Sequence, residues 1–85
     1  MTENDYNNLV LEAVRAAEAK GTTVDRMLPD TKMSERESLV LHERAKGRTF
    51  ADIAREVSRS GTRISADYYN ARRKLIGWKA RGGSL

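Results

Sequence analysis

Apolar residues recur along this chain at the spacing of an α-helix, and no segment alternates apolar and polar residues as a half-buried strand would. Gly21 follows the clearest such run as a stop signal. The pattern predicts an all-α fold, a small helical bundle of about four helices plus a short N-terminal turn. The apolar positions of that first run are Tyr6, Leu9, Val10, Ala13, Val14 and Ala17.

The next predicted helix begins at Ser34. The sequence Ser34-Glu35-Arg36-Glu37 is a capping box, in which serine and glutamate side chains each accept a hydrogen bond from the other residue's amide. This helix should run to about Lys46 and stop at Gly47. Before it, residues 22–28 are predicted to form a short turn or helix, and the break at Pro29 makes residues 30–32 a linker.

A short helix and a long helix follow, joined by three residues. Thr49 is the predicted N-cap of a helix over 50–57, and Ser60 caps a helix over about 61–76, with Gly77 as its C′ residue. Trp78 should fold back onto the core, and residues 79–85 are expected to be a flexible basic tail. The inward stripe of the long helix is Ile64, Tyr68, Ala71 and Leu75.

Positive charge is concentrated in the second half of the chain. The net charge is +4, yet six acids face four bases up to Lys32, whereas six acids face twelve bases after it. From Ser58 onward, Asp67 is the one acid among seven bases. A basic half on a small domain is typical of nucleic-acid binding. The alternative is a solvated surface that happens to be basic.

Composition argues against several other classes of function. Cysteine is absent and His42 is the single histidine, so we expect no disulfide, no metal site and no cofactor. No nucleophile has a base and an orienting group at a suitable spacing, so we expect no enzymatic activity. No apolar run approaches the roughly 20 residues that span a bilayer, and the N-terminal stretch does not resemble a signal peptide. We therefore expect a cytoplasmic, nucleoid-associated protein without a membrane partner.

Residues 33–75 carry a resemblance to known DNA-binding domains. The segment TFADIAREVSRSGTRISADYYNARRKL, from Thr49 to Leu75, resembles the helix-turn-helix in the last conserved region of bacterial sigma factors. It is equally similar to the LuxR (GerE)-type domain, and MSERESLVLHERAKGRT before it resembles the start of both families' domains. The resemblance implies a helix-turn-helix DNA-binding domain over 33–78, preceded by an amphipathic helix and linker over 1–32.

The resemblance implies that the helix over about 61–76 is a recognition helix, which enters the major groove of double-stranded DNA. Arg63 is the strongest base reader, because its guanidinium can bind O6 and N7 of guanine together. Asp67 is expected to pair with Arg63, Arg59 or a neighbouring lysine. The predicted base contacts are Thr62, Arg63, Ser65, Ala66, Tyr69 and Asn70. The predicted phosphate contacts are Arg48, Thr49, Arg59, Ser60, Arg72, Arg73 and Lys74.

Three interpretations of the function follow. The first is a sequence-specific transcription regulator of bacterial, phage or plasmid type that binds DNA as a homodimer. The helix within residues 1–32 is its candidate dimerisation element, although the apolar face of that helix has the alternative role of capping the core. The second is a sigma-mimicking accessory factor or antiterminator acting through RNA polymerase. The third is a protein-interaction module such as an antitoxin or inhibitor.

Overall fold

Five α-helices and one short 3-10 turn make up most of residues 2–85, the part of the chain that the computed structural model describes. No strand occurs in this range, so the all-α prediction is confirmed. The predicted N-terminal turn is the short helix α2 with the 3-10 turn after it. In chain order the elements are α1 (Glu3–Ala19), α2 (Val24–Met27), the 3-10 turn (Pro29–Thr31), α3 (Glu35–Ala45), α4 (Phe50–Val57) and α5 (Gly61–Ala80).

Hydroxyl caps begin three of these helices at the predicted positions. The Ser34 hydroxyl oxygen accepts a hydrogen bond from the Glu37 amide at 3.1 Å, and the Glu37 carboxylate accepts one from the Ser34 amide at 2.8 Å. Thr49 and Ser60 cap α4 and α5 in a similar way, each accepting from the amide three residues later at 3.1 Å. These caps satisfy amides that have no partner within their helix.

Helix α1 begins earlier than predicted because a second capping box precedes it. The Thr2 hydroxyl oxygen accepts from the Asp5 amide at 3.3 Å, and the Asp5 carboxylate accepts from the Thr2 amide at 2.9 Å. The helix therefore starts at Glu3 rather than at Tyr6. The apolar periodicity predicted the buried turns of α1 correctly, but it did not predict the polar first turn.

Helix α5 ends later than predicted. It continues to Ala80, so the expectation that it stops near Ile76 with Gly77 as its C′ residue is wrong. The reason is Trp78, which lies one turn after Leu75 on the buried stripe and reaches the core as part of the helix. Lys79 and Ala80, which the sequence assigned to the tail, are therefore helical.

The chain turns back over Trp78 after α5. Gly82 adopts a left-handed conformation with φ 95°, and the Gly83 amide donates to the Trp78 carbonyl at 3.1 Å. A Cβ atom on Gly83 would lie 2.3 Å from the indole ring. The backbone of Gly83 thus lies directly against the tryptophan, which a larger residue would prevent.

One hydrophobic core joins the helices, with α5 packed against α1, α3 and α4. The apolar stripe of α1 is buried in this core, as its predicted role of capping the core requires. None of the helices in residues 2–85 has the length and apolar content needed to cross a membrane. The core residues are Leu9, Val10, Ala13, Val14, Ala17, Val24, Met33, Val40, Leu41, Ile53, Ala54, Ile64, Tyr68, Ala71, Leu75 and Trp78.

His42 holds the short helix α2 onto α3. Its Nε2 atom accepts a hydrogen bond from the Val24 amide at 3.2 Å, and the Asp25 amide donates to the Ser38 hydroxyl at 3.2 Å. Because Nε2 is an acceptor, the proton of the neutral ring lies on Nδ1, 3.6 Å from the Glu18 carboxylate. The buried histidine therefore acts as an N-cap supplied by another helix.

We expect His42→Phe to destabilise the protein by about 1–3 kcal/mol, because the ring volume remains but the buried Val24 amide loses its acceptor. Urea denaturation measures this change. Glu18→Gln is the matched control and should change the free energy of unfolding by less than about 0.5 kcal/mol, since Glu18 is half exposed. Equal stability of His42→Phe and the wild type would show that this bond does not stabilise the fold.

Candidate nucleic-acid interface

Helices α4 and α5 and the three residues between them lie where the sequence predicted. Ser58 ends α4 in a left-handed conformation with φ 57°, and the Arg59 amide donates to the Ala54 carbonyl at 2.9 Å. Ser60 then caps α5. This short connection fixes the direction in which α5 leaves α4.

Burying one stripe of α5 leaves the opposite side of the helix in solvent. We call this side the outward face of α5; it comprises Thr62, Arg63, Ala66, Tyr69, Asn70 and Arg73, all of which are exposed. It includes five of the six predicted base contacts. The sixth, Ser65, is half-buried at the edge, and its hydroxyl donates to the Thr62 carbonyl at 3.0 Å.

Arg63 and Asp67 form the predicted ion pair on adjacent turns of α5. Arg63 Nε lies 3.7 Å from Asp67 Oδ1, and the Arg63 side chain is 57% exposed. Asp67 is instead buried, with 7% exposure for the residue. The expectation that Asp67 pairs with a nearby cation is therefore confirmed.

Two of the predicted phosphate-binding cations are exposed and unpaired. Arg59, in the turn before α5, and Arg73, on the outward face, have no acidic partner among residues 2–85. The hydroxyl oxygens of Thr49 and Ser60 accept cap bonds, but each hydroxyl keeps its hydrogen free to donate. These four groups can all contact an anion without breaking an internal bond.

Arg48 is neutralised by acids of two helices. Its Nη1 atom lies 3.0 Å from the Glu43 carboxylate of α3 and also contacts the Glu56 carboxylate of α4. The hydrogen bonds to Glu56 and then Glu43 raise the pKa of the Arg48 guanidinium above its ordinary value. Arg48 therefore links α3 to α4.

Arg72 is also occupied inside the molecule. Its Nη1 atom lies 2.6 Å from the Glu3 carboxylate, and its guanidinium lies over the rings of Tyr6 and Tyr69, at 5.6 and 4.9 Å. Burial acts to lower the pKa of Arg72, but the hydrogen bond to Glu3 outweighs it and the pKa is raised. With only 13% of its side chain exposed, Arg72 fastens α1 to α5.

Lys74 pairs with the capping-box glutamate of α3. Its Nζ atom lies 2.7 Å from Glu37 Oε1 and 3.3 Å from the Lys32 carbonyl oxygen. Burial acts to raise the pKa of Glu37, but the bonds from Lys74 and from the Ser34 backbone outweigh it and hold the pKa below its ordinary value. Lys74 therefore joins α5 to the start of α3.

Arg44 is a further structural cation that the sequence analysis did not single out. Its guanidinium carbon lies 4.6 Å from the Phe50 ring centre and 5.8 Å from that of Tyr68. Its Nη1 atom donates to the Arg48 carbonyl at 2.8 Å. No sequence signal indicated this role, because Arg44, Phe50 and Tyr68 lie on three different helices.

A second surface lies along α3 and includes none of the outward-face residues of α5. It is a groove of about 810 Å³ that α3 shares with α2 and the α4–α5 turn, and Leu39, 43% exposed, projects there. Its charged lining has both signs and includes Glu35, Arg36, Glu43 and Lys46. Nowhere in residues 2–85 does a group of three or more histidine, aspartate or glutamate side chains form a candidate metal site.

The Glu37–Lys74 pair predicts a pH dependence of stability. Because the pKa of Glu37 is lowered on folding, its stabilisation is complete above the ordinary value of 4.5 and is lost as the pH falls through the folded value. We expect wild-type stability to fall more steeply below pH 4.5 than that of Glu37→Gln in urea denaturation. Glu35→Gln, an exposed change in the same helical turn, should keep the wild-type slope. Identical slopes for all three proteins would contradict this role.

Comparison with known proteins leaves the family open. No protein-family model matches the chain, and neither a curated protein nor a solved structure gives a match. The resemblance to sigma-factor and LuxR-type domains therefore rests on the residues of 33–75 alone.

Proposed function

We propose that this protein binds double-stranded DNA sequence-specifically and regulates transcription, with the outward face of α5 in the major groove. The observation that carries the proposal is the division of α5 into a fully packed stripe and a polar, cationic face. Its 20 residues extend about 30 Å, and a groove about 12 Å wide admits one helix. DNA binding would place the protein at the nucleoid in the cytoplasm.

The side chains on this face have distinct proposed roles. Arg63 binds guanine through its guanidinium, Asn70 reads adenine, and Ala66 contacts a thymine methyl group. Thr62 and Ser65 each exchange one hydrogen bond with a base, and Tyr69 contacts sugar or phosphate. These assignments follow from the hydrogen-bonding capacity of each side chain and, for all but the half-buried Ser65, from exposure on α5.

Phosphate contacts are proposed for the groups that are free to make them. Arg59, Arg73, Thr49 and Ser60 lie on α5 or at the helix starts and make no ion pair in the described chain. Arg48, Arg72 and Lys74 are assigned a supporting role instead, since acids already neutralise them. They hold α3, α1 and α5 in the arrangement that presents the outward face.

A homodimer remains part of the proposal, because a single module buries only roughly 600–1,000 Å² of protein surface on DNA. The apolar stripe of α1 cannot form the dimer without leaving the core, since Ala13 and Ala17 are completely buried. Pairing of two chains must use another surface. Two half-sites one helical turn apart would lie about 34 Å from centre to centre.

A second candidate function is a sigma-mimicking accessory factor or antiterminator that acts through RNA polymerase. The exposed Leu39 in its groove of mixed charge favours it, because an apolar side chain surrounded by both signs suits a protein surface better than a phosphate backbone. None of the outward-face residues of α5 lines this groove, although Arg59 of the preceding turn does.

Selection of bound duplexes from a random pool, followed by affinity measurement, tests the proposed function. Arg63→Ala should reduce the preference for the selected duplex about tenfold, because one bidentate base contact is lost. Arg73→Ala should weaken binding to selected and unselected duplexes equally. It should also reduce the slope of log K against log salt concentration by about 1. Arg15→Ala, an exposed change on α1, is the control and should leave both quantities unchanged.

Three outcomes would contradict the proposal in different ways. Equal effects of Arg63→Ala and Arg15→Ala on selectivity would show that the outward face of α5 does not read bases. Enrichment of a duplex only in the presence of RNA polymerase would favour the second candidate. Binding that does not weaken as salt rises would exclude a phosphate interface altogether.

A further inference from the structure

Asp67 has an unusual environment for a carboxylate on a basic helix. It is buried, and its Oδ2 atom is shielded from solvent without a hydrogen-bond donor among residues 2–85. The closest cationic group is Arg63, whose Nε lies 3.7 Å from Oδ1. A buried carboxylate oxygen without a hydrogen bond costs free energy. The packing of α5 alone therefore does not explain why Asp67 occupies this position.

Asp67 lies beside residues of the outward face of α5. A groove of about 350 Å³ separates this part of α5 from the start of α3, and its α5 side is lined by Arg63, Ala66, Asp67, Asn70 and Lys74. Arg63, Ala66 and Asn70 belong to the outward face. The other nearby cation of α5, Lys74, is bound to Glu37 and does not neutralise Asp67.

Arg63 is the side chain that this carboxylate can orient. The approach is through Nε, and neither Nη atom has an acceptor among the described residues. An ion pair with Asp67 on the Nε side leaves both Nη groups available to O6 and N7 of guanine. An unheld arginine must instead lose several side-chain rotations when it binds a base.

We propose that Asp67 is a positioning residue that holds the Arg63 guanidinium over the outward face of α5 and thereby sets its preference for guanine. This inference rests on the proposed function and deepens it. Asp67 is buried and does not belong to the outward face, so it acts through Arg63. It also repels phosphate, which disfavours binding in any register that brings the backbone to this part of α5.

Asp67→Asn tests the proposal, because asparagine keeps the shape while the charge is lost. The selected duplex is compared with a duplex in which another base replaces the guanine that Arg63 reads. We expect the ratio of the second Kd to the first to fall about fivefold or more. Affinity for unselected duplexes should stay equal or increase, since a negative charge has been removed. Glu12→Gln, the same charge change at an exposed position of α1, should leave the ratio unchanged.

The pair is also observable without DNA. The NMR signal of the Arg63 Nε proton should shift in Asp67→Asn relative to the wild type, because the nearby negative charge is lost. Unchanged selectivity in a folded Asp67→Asn protein overturns the positioning role alone, because wild-type selection still supports DNA binding. Equal losses for selected and unselected duplexes, with a lower melting temperature, would indicate a merely structural role and also overturn it. If the wild type selects no duplex, both proposals fail.

Discussion

The structure depends on the burial of one side of α5. Ile64, Ala71 and Leu75 are completely buried, Tyr68 lies between the first two, and Trp78 extends the stripe at its C-terminal end. Helices α1, α3 and α4 all pack on α5, so this stripe fixes their positions as well as its own. Because one side of an amphipathic helix must be inside, the same packing determines which residues remain outside. The candidate interface is thus a consequence of how the core is built.

Ion pairs then divide the cations into two groups. Arg48, Arg72 and Lys74 each meet a carboxylate from another helix, and Arg44 lies on aromatic rings. These pairs join different helices and fix their mutual orientation. The cations left for an external partner are fewer than the twelve bases of the second half suggest. The proposed interface is accordingly a small one, in which the placement of Arg63 matters more than the total charge.

The sequence predicted the features that depend on residues close together in the chain, such as the starts of helices. The caps at Ser34, Thr49 and Ser60 depend on residues three positions apart, so their sequences specified the starts of α3, α4 and α5. The outward face of α5 followed from its apolar period. The resemblance to helix-turn-helix domains predicted two helices joined by a short turn, and α4 and α5 lie at those positions in the chain. The DNA-binding role of this pair stays a prediction.

Contacts between distant residues could not be predicted in this way. His42 accepts from an amide 18 positions earlier, and Arg72 meets an acid 69 positions earlier, so neither pair has a spacing rule. The end of α5 was misplaced because Gly77 is a strong local stop signal, whereas burial of Trp78 favours another helical turn. Arg72 and Lys74 were assigned to phosphate because charge alone does not show which cations already have partners.

We propose the outward face of α5 as the surface that contacts DNA. Titration of isotope-labelled protein with a short duplex, followed by amide NMR, is the sharpest test of this proposal. If the outward face enters the groove, the largest shifts occur at Thr62, Arg63, Ala66, Asn70 and Arg73. Shifts confined to the α3 groove around Leu39, or no shifts at low salt, would contradict it.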